Sequence, residues 1–343
     1  MPENEKNGLS SLFKFLIVLA LVIGGTSLTM NLLSMRVEQQ AGIKTPESEY
    51  WVPQEQAASI AFLAAGSAPG NSTEQLGGLP FLSNYDLSAY SADLSSGGTN
   101  FIETASGSGL SLLSLAQPDF NVQQLPTLLS SLDDKGIGYA GMNVSTSRQN
   151  QLYTVSDNGI DIAFLSYTDG VNEIIPDAES YLVNVYDDEK TPLQVAKAAG
   201  QADVIVVYMT WSGADGAMPT QRQQTIANAL ASAGASIIIG NSGGIQPVSW
   251  IDDTLVYYGL GSFCPEEGDA GALGVITITK ITTGMKSRIE LTNPKADFIT
   301  GSETGPVLVS QSSLSDEKKT ELNNRYSSVI LSMDDSTRIG GLE

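Results

Sequence analysis

The sequence predicts an α/β domain with a largely parallel sheet, preceded by one apolar helix. Three observations carry this. Short apolar runs recur that suit strands covered on both faces, most clearly at residues 202–209. Between them lie stretches with helical spacing, as at Leu125, Leu128, Leu129 and Leu132. Near the start, residues 15–33 form an apolar run that no charge interrupts, about long enough to cross a bilayer.

Composition narrows the chemistry. The chain has 343 residues, enough for a substantial core, and 41% of them are hydrophobic. Its net charge is −21 with only 17 Lys and Arg, which argues against a nucleic-acid partner and against docking on anionic lipid. There is no histidine, so a Ser-His-Asp triad and the commonest transition-metal ligand are both excluded. The single cysteine, Cys264, rules out an intramolecular disulfide and thiolate zinc sites. Any enzyme on this chain works with carboxylates, lysine, tyrosine or hydroxyls.

In chain order, residues 1–14 are polar and precede the 15–33 run, in which Gly24, Gly25 and Asn31 are the weak points. No small-residue cleavage site follows the run, so it reads as an uncleaved signal anchor with residues 1–14 cytoplasmic and the acidic bulk outside. Residues 34–57 read as a polar stalk with Pro46 and Pro53, and residues 59–65 as the first strand of a domain spanning 58–300. Residues 70–109, rich in Ser, Gly and Asn, read as a long irregular region. A strand is expected over 110–116, a helix over 122–135 closed by Gly136, and a strand and turn over 137–143. Asp157, Asn158 and Gly159 mark a hairpin. After the acidic loop 169–189 comes a helix near 192–200, then the densest unit of the chain, residues 202–264. It holds a buried-type strand, a helix begun by Pro219 with Ile226, Ala229, Leu230 and Ala233 as its core stripe, a strand at 236–239, a Gly-rich loop and a strand at 255–260. Two strands alternating at period two follow, and residues 301–343 read as an extension with a helix near 315–333 and a mobile tail.

Several segments, in order, resemble the CapA-type capsule-synthesis family, whose fold is of the calcineurin-like metallophosphoesterase kind. SLLSLAQPD resembles that family's "LANNH" segment, and KGIGYAGMN the segment after it. The block from ADVIVVYMTWSG to IIIGNSGGIQP resembles its "HWG…P…Q…A…L…AGAD-ViG-H-x-H" block, and LVYYGLGSFC its "YSLGNF". The resemblance spans roughly residues 57–282. It implies a layered α/β sandwich in which helices cover both faces of the sheet and the loops after residues 65, 116, 209, 240 and 261 converge on one rim.

The departures from the family's pattern are systematic. Ser67 stands where the family has Asp, and Gln117, Pro118 and Asp119 replace Asn-Asn-His. Thr210, just before Trp211, replaces the His of HWG. Ser242 and Gly244, after Asn241, fall at or beside the two His of the G-H-x-H loop, and Ser262 replaces the Asn of LGNF. A two-metal centre needs charged and imidazole ligands to hold cations about 3.5–4 Å apart, and neutral hydroxyls do not supply that field. The resemblance therefore implies a metal site lost and no resident cofactor. It also implies a role in synthesis or export of poly-γ-glutamate or a similar capsule polymer, with membrane-embedded polymer-synthase subunits as partners. Two other readings stand beside it. One is a rebuilt carboxylate site, from Glu103, Asp119, Asp215 and Glu266, holding Mg²⁺ or Ca²⁺. The other is a structural or adhesion protein at the cell surface.

Overall fold

A computed structural model describes residues 53–63, 84–91, 102, 110–172, 174–213, 216–263, 265–303 and 305–340. The expected anchor at 15–33, most of the expected stalk, and Ser67, Glu103, Asp215 and Cys264 lie outside the described residues. Among the described residues no helix is long and apolar enough to cross a membrane. The fold is carried by the compact unit Gln54–Thr282 with Ser287–Glu343.

The apolar runs form two sheets rather than one. The first contains β1 (Gln54–Leu63), β2 (Leu87–Ser91), β3 (Leu112–Ser114), β4 (Gly138–Ala140), β11 (Gly271–Thr283), β12 (Lys286–Thr300), β13 (Val307–Leu308) and β14 (Arg338–Gly340). Its order is β13-β12-β11-β1-β2-β3-β4, with β14 on β12. β1 to β4 run parallel and β11 is antiparallel to β1. The second sheet contains β5 (Tyr153–Asp157), β6 (Ile160–Thr168), β7 (Val204–Thr210), β8 (Ile237–Asn241), β9 (Val248–Ile251) and β10 (Thr254–Tyr257). Its order is β5-β6-β7-β8-β10-β9, with β6, β7, β8 and β10 parallel.

Strand alternation makes the layers. On β7, Val204, Val206 and Tyr208 point into a core shared with Leu87, Ala89 and Leu112 of the first sheet. Ile205, Val207 and Met209 point the other way, toward helices. The expectation of helices on both faces of a single sheet is therefore corrected. A continuously apolar strand shows only that both its faces are covered, and here one cover is a second sheet. Helices form the outer layers. α1 (Leu125–Lys135) lays Leu125, Leu128, Leu129 and Leu132 on the outer face of the first sheet and ends at Gly136 in the left-handed region, φ 68°. The single turn α2 (Thr146–Gln149) is capped by Ser145. α3 (Lys190–Ala199) and α4 (Gln221–Ser232) cover the second sheet.

Several local expectations change. β1 begins at Gln54, inside the expected stalk, because antiparallel pairing with β11 recruits it. The region expected to be irregular at 70–109 contains β2, buried along its whole length between β1 and β3. The buried stripe of α4 is Gln223, Ile226, Ala227 and Leu230, with Ala229 and Ala233 only half-buried. The hairpin stands as expected: Asn158 (φ 47°) and Gly159 (φ 75°) both take positive φ, as a type I′ turn requires. In the C-terminal segment, α5 (Asp316–Ile330) starts at the Ser315 cap and buries Leu322 and Ile330 in the inter-sheet core.

Candidate functional site: a neutral rim where the two sheets meet

Parallel strands aim their C-terminal ends the same way, which gathers loop residues at one edge of a sheet. Here both sheets do so. β2 ends at Ser91, and Gln117 lies just beyond β3; on the second sheet, β6, β7 and β8 end at Thr168, Thr210 and Asn241. All five are buried.

Ser91 is the centre of this rim. Its hydroxyl accepts from Gln117 Nε2 at 3.1 Å and from Asn241 Nδ2 at 3.3 Å, joining one sheet to the other. Deeper in, Ser114 and Ser166 share a hydrogen bond of 2.9 Å across the same seam, and Ala116 N donates to Ser166 Oγ at 3.2 Å. Tyr208 O–H donates to Ala89 O at 3.1 Å, again from sheet to sheet. Burial holds that phenol well above its ordinary pKa, so it remains a donor.

Thr210 sits opposite Asn241 in the β7–β8 register. Its Oγ1, like Asn241 Oδ1, is buried without a hydrogen-bond partner among the described residues. Such groups are uncommon, because a buried unpaired oxygen costs about 1–3 kcal/mol. Trp211 supports the pair from below: its N donates to Asn241 O at 3.0 Å and its Nε1 to Tyr258 O at 2.9 Å. Gly240 makes that approach feasible. A Cβ there would lie 1.9 Å from Tyr258 O and 2.2 Å from Trp211 Nε1.

The other expected site residues are not part of this knot. Ser242 Oγ donates to Gly244 O at 2.8 Å within its own loop, which packs against Gly259. Ser262 is half-buried beyond Leu260. Asp119 is exposed, and both its oxygens accept from Asn172 Nδ2 at 2.9 Å. Glu266 is exposed as well.

Sequence reasoning missed Ser91, because β2 lies in a Ser- and Gly-rich stretch. The only signal was the short segment LSAYS, with Leu87 and Tyr90 as its two large residues. It also missed the buried amide pair behind the rim. Gln223 Nε2 donates to Gln246 Oε1 at 2.7 Å, and Gln246 Nε2 to Gly216 O at 2.9 Å. Gln223 also completes a capping box with Thr220.

The donor set decides what this rim can hold. Ser91, Gln117, Thr210 and Asn241 are neutral, and among the described residues no group of three His, Cys, Asp or Glu stands close enough to bind an ion. A pair of divalent cations needs several charged ligands, so these residues do not fit one.

Two packed sheets with parallel strand ends converging on one polar rim resemble the calcineurin-like phosphoesterases. A solved protein of Staphylococcus aureus, assigned as a 5′-nucleotidase and crystallised with alpha-ketoglutarate, aligns with a TM-score of 0.51 at 13% identity, over 78% of this chain and 58% of that one. That likeness shows the fold. The family itself follows from sequence: the model of the bacterial capsule synthesis protein family, PGA_cap, matches residues 95–266, half of the chain, and the chain belongs to that family. Two curated relatives agree. The PGA biosynthesis protein CapA of Bacillus subtilis (strain 168) is 27% identical over 153 residues, covering 44% of this chain and 40% of the relative. The capsule biosynthesis protein CapA of Bacillus anthracis is 24% identical over 176 residues, covering 49% and 43%. The matches thus span less than half the length of these curated relatives.

Proposed function

We propose that this chain is a non-catalytic member of the capsule-synthesis family, anchored in the cell membrane by residues 15–33 with its domain outside. In this reading it assists the synthesis or export of a poly-γ-glutamate type polymer by contacting membrane-embedded polymer-synthase subunits. One observation carries the non-catalytic part. The strand ends where the family pattern has Asn and His instead bear neutral groups: Gln117 and Asn241 are bonded through Ser91, and Thr210 stands opposite Asn241 in the strand register. A hydroxyl and amide seam that ties two sheets is a structural use of those positions. The names of the Bacillus relatives support the polymer, and the uninterrupted apolar run supports the anchor. A pull-down from native membranes tests the partner: co-purification of the polymer-synthase subunits is expected. Recovery of the chain alone, together with unchanged surface polymer in a deletion strain, would refute the role.

A further inference from the structure

A second site lies away from the rim. β4 is one edge of the first sheet and β5 one edge of the second, and a cleft of about 580 Å³ opens beside them, reaching the last turn of α3. That volume falls within the roughly 300–1,000 Å³ range of small-molecule sites. Ser91, Gln117, Thr210 and Asn241 do not line it.

Its charge runs against that of the protein. Arg148 and Lys197 line the cleft, and among the described residues no Asp or Glu does, although the chain carries 38 acidic residues. Arg148 is held in place: Nη1 donates to Gln151 Oε1 at 3.0 Å, and the guanidinium lies 5.1 Å from the centre of the Tyr139 ring. The carboxylate paired with it, Asp133, is 3.8 Å away with its side chain 63% exposed, so the pair is weak and screened by solvent. Lys197 has no ion-pair partner among the described residues. Two cations facing one concavity in a protein of net charge −21 make a local trap for an anion.

The remaining lining says which anion. Side-chain amides are its most frequent group, Gln149, Gln194 and Gln201 among them, beside tyrosines that include Tyr153 and apolar residues such as Leu152 and Phe164. Gly138 leaves room for the Tyr153 phenol, since a Cβ there would lie 2.1 Å from its oxygen. Amides both donate and accept, so the cleft matches a ligand that does the same beside its charge. The geometry points to a binding site for an organic carboxylate that also carries amide or hydroxyl groups, with Arg148 and Lys197 on the carboxylate. Phosphate fits less well, because it offers few donors for the amide oxygens. This site does not depend on the reading of the rim.

Calorimetric titration of the purified full chain at low salt tests it. The probes are a short peptide of glutamate and glutamine, a galacturonate oligosaccharide, and inorganic phosphate. Saturable binding of one carboxylate is expected, and which one saturates separates an acidic peptide from an acidic sugar. Arg148→Gln should weaken it by about tenfold or more and Lys197→Gln by a few-fold, as for a charge-assisted hydrogen bond and a flexible surface cation. Lys197 is exposed on α3, so its variant keeps the fold even if Arg148→Gln does not, and Lys190→Gln, outside the cleft, should change nothing. Saturation by neither carboxylate, phosphate binding as tight as the better carboxylate, or affinity unchanged in both cleft variants would overturn the assignment.

Discussion

Replacing Ser91 by alanine should destabilise this protein far more than the loss of one oxygen suggests. The hydroxyl is fully buried and accepts from two amides, Gln117 Nε2 at 3.1 Å and Asn241 Nδ2 at 3.3 Å. Alanine leaves both donors buried with no acceptor at that point. Each stranded donor costs about 1–3 kcal/mol, and both bonds are on the long side, so the loss should be about 2–4 kcal/mol. Equilibrium urea unfolding of the purified chain reads this as a lower midpoint at an unchanged slope. Asn241→Ala in the same background measures the coupling, expected at about 0.5–3 kcal/mol for residues sharing a hydrogen bond. A Ser91→Ala loss below about 0.5 kcal/mol, within the range of an ordinary surface change, would refute the claim that this residue ties the sheets together.

Thr210→Val removes a buried hydroxyl that has no partner among the described residues, so stability should stay level or rise by about 1 kcal/mol in the same unfolding assay; a clear loss would show that the hydroxyl is bonded. Opposite the rim, Lys280 Nζ pairs with Asp203 at 2.7 Å, and both side chains are largely buried. Because Asp203 also accepts from Asp161 N, Lys280→Met should cost about 1–3 kcal/mol by urea unfolding, less than a fully buried pair would. Burial, together with the hydrogen bond to Asp269 and that carboxylate's charge, pushes the Tyr326 phenol up to about 12 from an unfolded value of 10.0. A raised pKa means the contribution is whole below pH 10.0 and is lost as pH climbs toward about 12. Thermal melts between these limits should fall more steeply for the native chain than for Tyr326→Phe.

Where the sequence carried a period, it placed the elements. The leucines of α1, the Asn158–Gly159 turn and the apolar run of β7 each follow from local pattern, and each lies where expected. What local pattern does not carry is the identity of the covering layer. Val204 and Ile205 look alike in the sequence, yet one faces a sheet and the other helices. β2 was hidden for a related reason: three of its five residues are Ser or Ala, and only the neighbouring strands make it a strand. At the rim, Gln117, Thr210 and Asn241 were legible because they stand at positions with a known family pattern. Ser91, which joins two of them, was not, because it is distant in sequence and its role arises only when the sheets pack.

A rim that is a structural seam rather than a metal centre holds no tightly bound ion. Elemental analysis of the purified full chain, coupled to a phosphodiesterase assay across Mn²⁺, Mg²⁺ and Ca²⁺, tests this most directly. Substoichiometric metal and no turnover with any of the three ions are predicted. Tightly held stoichiometric metal, with turnover abolished by Asp119→Ala, would contradict it.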